Sequence, residues 1–361
     1  MTPAPVKSIG VLTGGGDCPG MNPAIKAVVT YAHAVGCTTV GVRDGWLGLL
    51  SREPGCTTLL RSEDVRLLDQ TGGTILGTSR TNPFKRPKGP ETVMERVKAL
   101  KLDALIVIGG DDSLGVARML HEKHGLKVVG IPKTIDRDLS ATSYTLGFES
   151  AVQVIMEAID HLRTTAESHS RVFVVETMGR HAGHLALKGG IAGSADFILI
   201  PEVPFDVDRL CHLIRERRTN GLRHSIVVVA EGAQMKGFSD VMLSCGVDEF
   251  GHRVLGGIGY HVAKEIEKRA KQETRHVVLS HLQRGGPPVA YDRRMGHYFG
   301  TAAVEAIMCG KFGCMMAVMD GRIKLVPLAW GVDRIKPVDV ENDYDTSQYC
   351  AAVKILRSDG V

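Results

Sequence analysis

The sequence predicts an α/β protein with largely parallel sheets, and three observations carry that expectation. Short apolar runs rich in β-branched residues recur along the chain, amphipathic stretches separate most of them, and glycine-rich turns follow several. Runs that are apolar almost throughout, such as Ala104-Leu105-Ile106-Val107-Ile108 and Val128-Val129-Gly130-Ile131, have the composition of strands buried on both faces of a parallel sheet. At 361 residues the chain is long enough for two domains. No repeat, low-complexity tract or flexible linker separates them, so the expectation is two intimately joined lobes with a cleft between them.

In chain order, strands are expected over Ile9–Thr13, Thr39–Val42, Leu105–Ile108, Val128–Ile131, Val172–Glu176, Phe197–Ile200, Ile226–Ala230 and Val277–Ser280. Helices are expected over Asn22–Ala34, Ser113–Lys123, Phe148–Ala166 and Gly259–Ala270, each with apolar residues three and four apart, joined to the strands by right-handed crossovers. Near the end, Ala351-Ala352-Val353-Lys354-Ile355-Leu356 predicts a final docked helix.

Composition narrows the function classes. The 43% hydrophobic content is that of a globular protein, and no apolar run approaches the roughly 20 residues needed to span a bilayer. Met1 to Lys7 leads into a strand pattern without a signal-peptide cleavage region, so a cytoplasmic protein without a membrane partner is expected. Eight cysteines are scattered without a C-x-x-C, and even the close pair Cys309 and Cys314 lacks neighbouring ligands, which favours reduced, mostly buried thiols. A net charge of +4 argues weakly for small anions and gives no support to nucleic acid. The basic runs Lys85-Arg86-Pro87-Lys88 and Arg215-Glu216-Arg217-Arg218 read as solvated surface.

Chemistry concentrates at strand ends. Gly109-Gly110-Asp111-Asp112-Ser113 and Pro132-Lys133-Thr134-Ile135-Asp136-Arg137-Asp138 each follow an apolar run, where parallel sheets bind their ligands. Four aspartates and a lysine there point to phosphoryl transfer. The first strand runs into Thr13-Gly14-Gly15-Gly16-Asp17-Cys18-Pro19-Gly20-Met21-Asn22-Pro23, whose glycines let the backbone approach a phosphate. That turn matches neither the Walker loop nor the dinucleotide fingerprint, and a plain connection remains the alternative.

Asp111 can hold a metal against phosphate oxygens or cap the helix beginning near Ser113, and Asp112 or Ser113 can cap it equally well. Asp136 and Asp138 stand one residue apart and point the same way along an extended segment, so one can accept a hydroxyl proton while the other supports the metal. Downstream, Arg171, Met178-Gly179-Arg180-His181, Arg275 and His281-Leu282-Gln283-Arg284-Gly285-Gly286 offer guanidinium forks suited to phosphate, or surface salt bridges. Glu231, before Gly232, can accept from sugar hydroxyls or cap the following turn.

In this order the segments GGGDCPGMN, GGDDS, PKTID, MGR, EG and HLQRGG resemble the phosphofructokinase family, from about Ile9 to Met295. The resemblance implies two Rossmann-like lobes with an active-site cleft: residues 1–147 with about 283–335 for the phosphoryl donor, and 148–282 with about 336–361 for the sugar phosphate. It implies Mg²⁺ on Asp111 with support from Asp138, and donor binding by Gly15, Gly16, Arg80 and Ser113. It makes Asp136 the base, with Lys133, Thr134 and Arg180 sharing the catalytic work. Fructose 6-phosphate is then held by Thr134, Asp136, Met178, Gly179, Arg180, Glu231, His281 and Arg284, while Arg171 and Arg275 match arginines from a neighbouring subunit. A homo-oligomer, dimer or tetramer, follows.

The family's ATP users usually carry glycine at the positions of Asp112 and Lys133. A carboxylate at Asp112 would repel a nucleotide's α-phosphate, whereas a cation at Lys133 can stabilise charge on pyrophosphate. The resemblance therefore implies pyrophosphate as donor and a reversible reaction serving glycolysis or gluconeogenesis. Trp46 and Arg80 fall where ATP users have an aromatic residue and an arginine near the nucleotide. An ATP-dependent enzyme and a catalytically silent sugar-phosphate binder are the rival readings. Arg137 stands where many relatives have asparagine, with a phosphate contact or a salt bridge as its expected role. Thr30 and Asn220-Gly221-Leu222-Arg223-His224 retain only part of a basic effector site, implying weak or absent nucleotide allostery.

Overall fold

The computed structural model describes residues 6–237 and 256–352. Its strands are β1 (Ser8–Thr13), β2 (Thr38–Val42), β3 (Thr57–Leu60), β4 (Ala104–Gly109), β5 (Val128–Pro132), β6 (Val172–Thr177) and β7 (Phe197–Leu199). They continue with β8 (Ser225–Ala230), β9 (Thr274–Val278), β10 (Cys314–Met319), β11 (Arg322–Pro327), β12 (Tyr344–Asp345) and β13 (Cys350–Ala351). Helices are α1 (Met21–Ala34), α2 (Trp46–Leu50), α3 (Gly89–Ala99), α4 (Asp111–His124), α5 (Phe148–His169), α6 (His184–Ala192), α7 (Val207–Thr219), α8 (Ile258–Ala270), α9 (Ala290–Met308), α10 (Leu328–Val332) and α11 (Val340–Asp343).

The described chain divides into two compact units, residues 6–150 with 284–335, and 151–237 with 256–283 and 336–352. In the first, a seven-stranded sheet runs β11-β10-β5-β4-β1-β2-β3. Its five inner strands pair in parallel, and β3 and β11 close the edges antiparallel. Every residue of β4 is buried, and each large aliphatic side chain so removed from water contributes roughly 1.5–3 kcal/mol. Helices α1 and α9 lie close enough that a Cβ on Gly300 would stand 2.6 Å from the Ala24 carbonyl oxygen, so only glycine fits there.

One buried carboxylate ties this unit together. Asp292, on α9, accepts hydrogen bonds from Gly147 N (2.7 Å), Ser150 N (2.7 Å), Ser150 Oγ (2.6 Å) and the Tyr144 hydroxyl. Gly147 N and Ser150 N lie at the start of α5, whose first amides have no partner in their own helix, so Asp292 caps α5 from a distance. Burial pushes its carboxyl up, and the bonds from Ser150, Tyr144 and Gly147 pull it back down.

The second unit holds a four-stranded parallel sheet, β7-β8-β6-β9, with β6 and β8 entirely buried. Its final segment docks beside β7, where the Tyr344 hydroxyl donates to Ile198 O at 2.5 Å and Ile198 N donates to Tyr349 O at 2.7 Å.

Several expectations are corrected. The last expected strand, Val277–Ser280, lies instead at β9, and Ser280 opens a 3₁₀ turn, Ser280–Arg284. Its residues Thr-Arg-His-Val-Val form an edge strand with exposed positions, so apolarity marks only its end. Ala351 belongs to β13 rather than to a helix, and 353–356 lie outside the described residues. Four of the seven described cysteines are buried and all seven are free. No helix among the described residues is long and apolar enough to cross a membrane.

Candidate active site

Three turns at the carboxyl ends of neighbouring strands of the first unit carry most of the residues expected to bind the donor. Strand adjacency does the positioning: Gly14 N donates to Ile108 O at 3.0 Å, and Lys133 N donates to Gly109 O at 2.9 Å. Ser113, buried at the start of α4, lies over both glycine turns, and a Cβ on Gly14 would fall 2.4 Å from its Oγ. The glycine turn is strapped from the other side, since Gly15 N donates to Ser79 O at 3.1 Å and the Thr78 hydroxyl donates to Gly15 O at 2.6 Å. Neither Thr78 nor Ser79 was singled out by the sequence. Arg80, next in the chain, is exposed.

Lys133 is 3% exposed, and its Nζ donates to Gly16 O at 2.5 Å. Burial pushes its ammonium below the usual lysine range and Arg284 adds to that, while Cys18, Asp111 and Asp136 pull it back up. All five groups therefore share one electrostatic neighbourhood. Arg284, expected among the sugar-phosphate residues, belongs to the first unit: its Nη1 donates to Asp17 O at 3.1 Å, and a Cβ on Gly16 would collide with its guanidinium at 2.6 Å. Cys18, beneath the same turn, bonds Leu146 O at 3.3 Å, and burial pushes its thiol up to about 12.

Asp111 and Asp112 occupy the first turn of α4, half-buried, where the helix dipole favours negative charge. The capping alternative fails for both and for Ser113, because the N-cap is Gly110 and no side chain caps it. In the second turn Asp136 N donates to Thr134 Oγ1 at 3.1 Å, and the Thr145 hydroxyl donates to Thr134 O at 2.7 Å, which fixes the backbone on both sides of Ile135. Asp136 is 4% exposed, and its Oδ1 is buried without a hydrogen-bond donor among the described residues. Asp138 is buried as well.

Of the two roles expected for Arg137, the salt bridge does not form among the described residues. The residue adopts a left-handed backbone, φ 56°. Its Nε donates to Ser143 O at 2.9 Å, and its guanidinium lies 5.1 Å from the Phe148 ring centroid. Trp46 is corrected too: it is buried in the core of the first unit, its Nε1 donating to Ser113 O at 3.3 Å, so it has no free ring face for a nucleotide.

Of the residues expected to hold the sugar phosphate, Arg171, Met178, Gly179, Arg180, Glu231, Arg275 and His281 lie in the second unit. The turn after β6 carries Met178, Gly179 and Arg180; Arg180 is left-handed at φ 50°, and its N–H donates to Glu231 Oε1 at 3.0 Å. A Cβ on Gly232 would stand 1.9 Å from Arg180 O, so the Glu231-Gly232 pair seats this turn as a unit. Arg171 and Arg275 share one oxygen, Glu273 Oε1, at 2.9 and 2.6 Å. That pairing, with Arg171 the principal cause, holds the Glu273 carboxyl below its usual range. His281 is exposed in the 3₁₀ turn.

The phosphofructokinase family model matches residues 8–307. A Dictyoglomus thermophilum protein named pyrophosphate-fructose 6-phosphate 1-phosphotransferase is 50% identical over 332 residues, 92% of this chain and 95% of that one. A Streptomyces coelicolor protein named ATP-dependent 6-phosphofructokinase 3 is 46% identical over 332 residues, 91% of this chain and 96% of that one. Among solved structures, phosphofructokinase from Saccharomyces cerevisiae superposes with TM-score 0.80 at 34% identity, covering 91% of this chain, which spans 45% of that longer one. With the match covering most of the chain, and strand-end turns arranged as described, the protein belongs to the phosphofructokinase family.

Proposed function

We propose that this protein reversibly transfers a phosphoryl group from pyrophosphate to the 1-hydroxyl of fructose 6-phosphate. The observation that carries the donor is Lys133: a buried ammonium bound to the Gly16 carbonyl, with the Arg284 guanidinium on the same turn. Asp111 and Asp136 offset part of the cost of burying Lys133, and the phosphates of a small inorganic donor would supply further negative charge beside both cations. Asp112 at the start of α4 opposes a nucleotide's α-phosphate; two like charges ~4 Å apart repel by about 4 kcal/mol at an effective dielectric of ~20.

Asp136 is the base. Its buried Oδ1 meets no donor among the described residues, so a lone pair is available for the proton of the sugar hydroxyl as oxygen attacks phosphorus. Thr134 fixes the direction of that carboxylate through the Asp136 N–H. Lys133 and Arg284 take up charge that grows on the transferred and departing phosphates.

The donor set fits magnesium. No group of three or more acidic, histidine or cysteine side chains gathers among the described residues, and Mg²⁺ characteristically takes one or two carboxylates, several waters and the substrate's own phosphates. Asp111, supported by Asp138, would hold it, and bound there it would screen phosphate charge. Met178, Gly179, Arg180, Glu231 and His281 would hold the sugar phosphate, with Arg171 and Arg275 serving a neighbouring copy's site in a homo-oligomer. A cytoplasmic enzyme with little nucleotide allostery completes the reading.

The test is formation of fructose 1,6-bisphosphate with Mg²⁺ and fructose 6-phosphate, pyrophosphate and ATP being supplied in parallel, then the reverse reaction with orthophosphate. Turnover with pyrophosphate and reversal with orthophosphate are expected. Turnover with ATP alone would overturn the donor assignment, and silence with both would favour a sugar-phosphate binder.

A further inference from the structure

The turn from Met178 to Gly183 has one support outside the motif. Helix α6 begins after it with Gly183 at the N-cap, no side-chain cap and no acid in its first turn. The missing acceptor comes from the turn that follows β7: Gly183 N donates to Glu202, 3.0 Å from Oε1 and 3.1 Å from Oε2. A Cβ on Gly183 would lie 2.8 Å from Glu202 Oε2, so glycine is what allows the carboxylate in.

Glu202 Oε1 also accepts from Val338 N at 2.9 Å, and next to this bond His184 Nε2 pairs with Lys336 O at 2.9 Å. Residues 336–352 are thereby joined to the start of α6 at two points. The far end of that segment is anchored separately, because Tyr349, 5% exposed, takes Ile198 N on its carbonyl at 2.7 Å. Its hydroxyl accepts from Asp206 N at 2.8 Å.

We propose that Glu202 is a positioning residue for the sugar-phosphate turn, and that the C-terminal segment 336–352 is the strap it fastens there. The proposal rests on the reading of Met178, Gly179 and Arg180 as sugar-phosphate residues. Glu231 holds the turn at Arg180 N and Glu202 holds it three residues on at Gly183 N, so segment 180–183 is fixed at each end by a carboxylate. Losing one charge-assisted bond on this pair is expected to cost about tenfold in sugar-phosphate affinity.

Glu202→Ala, Glu202→Gln and Tyr349→Phe test it. In Glu202→Ala, KM for fructose 6-phosphate should rise about tenfold while KM for pyrophosphate and kcat stay within about twofold. Glu202→Gln, which keeps an acceptor oxygen and serves if the alanine variant does not fold, should fall between. Amide exchange at 178–184 and at 336–340 should quicken together in Glu202→Ala, with β8 unchanged; Tyr349→Phe should quicken 336–352 first. Unchanged exchange at 178–184 would overturn the proposal whatever substrate is used, as would equal changes in both KM values. A wild-type protein that turns over no fructose 6-phosphate removes the functional reading, while the exchange measurement still decides whether Glu202 holds the turn.

Discussion

The carboxyl-end turns after β1, β4 and β5 in the first unit and the charged residues on and beside β6 and β9 in the second hold charge differently. In the first unit Lys133, Asp136 and Arg284 are 3%, 4% and 9% exposed, and the two cations rest on backbone carbonyls of one glycine turn. In the second unit the Arg275 side chain is 51% exposed, His281 is exposed, and Arg275 and Arg171 meet on a single carboxylate at the surface. Buried charges are set in place before any ligand arrives, at a cost to stability; exposed ones are screened, adjustable and nearly free.

Asp136→Ala should have the largest effect. Turnover is expected to fall by about 10²–10⁴-fold with sugar-phosphate binding little changed, measured by steady-state kinetics alongside calorimetric titration. Near-normal turnover would remove Asp136 from the chemistry.

Asp292→Ala should come next, with a destabilisation of about 3–5 kcal/mol in urea unfolding. It strands the Tyr144 hydroxyl and the Gly147 and Ser150 amides inside the first unit. A loss below ~1 kcal/mol would show that the site relaxes around the missing group.

Lys133 sharpens the contrast through pH. Burial lowers its pKa, so the folded protein releases this proton at a pH where the unfolded chain still binds it. In that window the unfolded state binds more protons, and stability therefore rises with pH. Two results follow: Lys133→Met should unfold at higher temperature than wild type near neutral pH, and kcat/KM for pyrophosphate in wild type should decline on the alkaline side. Lys133→Arg should move that decline to higher pH, because a guanidinium keeps its charge. A decline that stays in place in the arginine variant would assign it to another group.

Glu273→Ala should do least. The Glu273 and Arg275 side chains are 44% and 51% exposed and Arg171 is half-buried, so a largely solvated triad is lost and thermal unfolding in low and high salt is expected to match wild type closely. A clear loss of stability in low salt would mean that the surface triad carries more than its exposure implies.

Particular elements show what was legible. β4 and β5 are plain in the sequence because strands covered on both faces are apolar at nearly every position. β9 is misplaced because its exposed positions carry Arg275 and His276. α9 was not anticipated: Arg293 and Arg294 interrupt its apolar pattern, and Gly296 and Gly300, which lower helix propensity, are there for close contact with α1. The grouping of Asp111, Lys133 and Asp136 was readable because each follows a strand of one sheet, and adjacency of β4 and β5 brings the two turns together. Asp292 and Glu202 gave no such signal, since their partners lie 142–148 and 19–136 residues away.

By itself the sequence determined the α/β class, the strand-end turns and the charge placed on them, including the aspartate and lysine at positions 112 and 133, because those features depend on local pattern and residue type. Only the tertiary structure decided that Arg284 rests on the Gly16 turn, that Trp46 belongs to the core, and that Asp292 and Glu202 fasten distant turns. Hydrogen bonds and packing between segments far apart in the chain are formed by the fold and leave no period in the residues that make them.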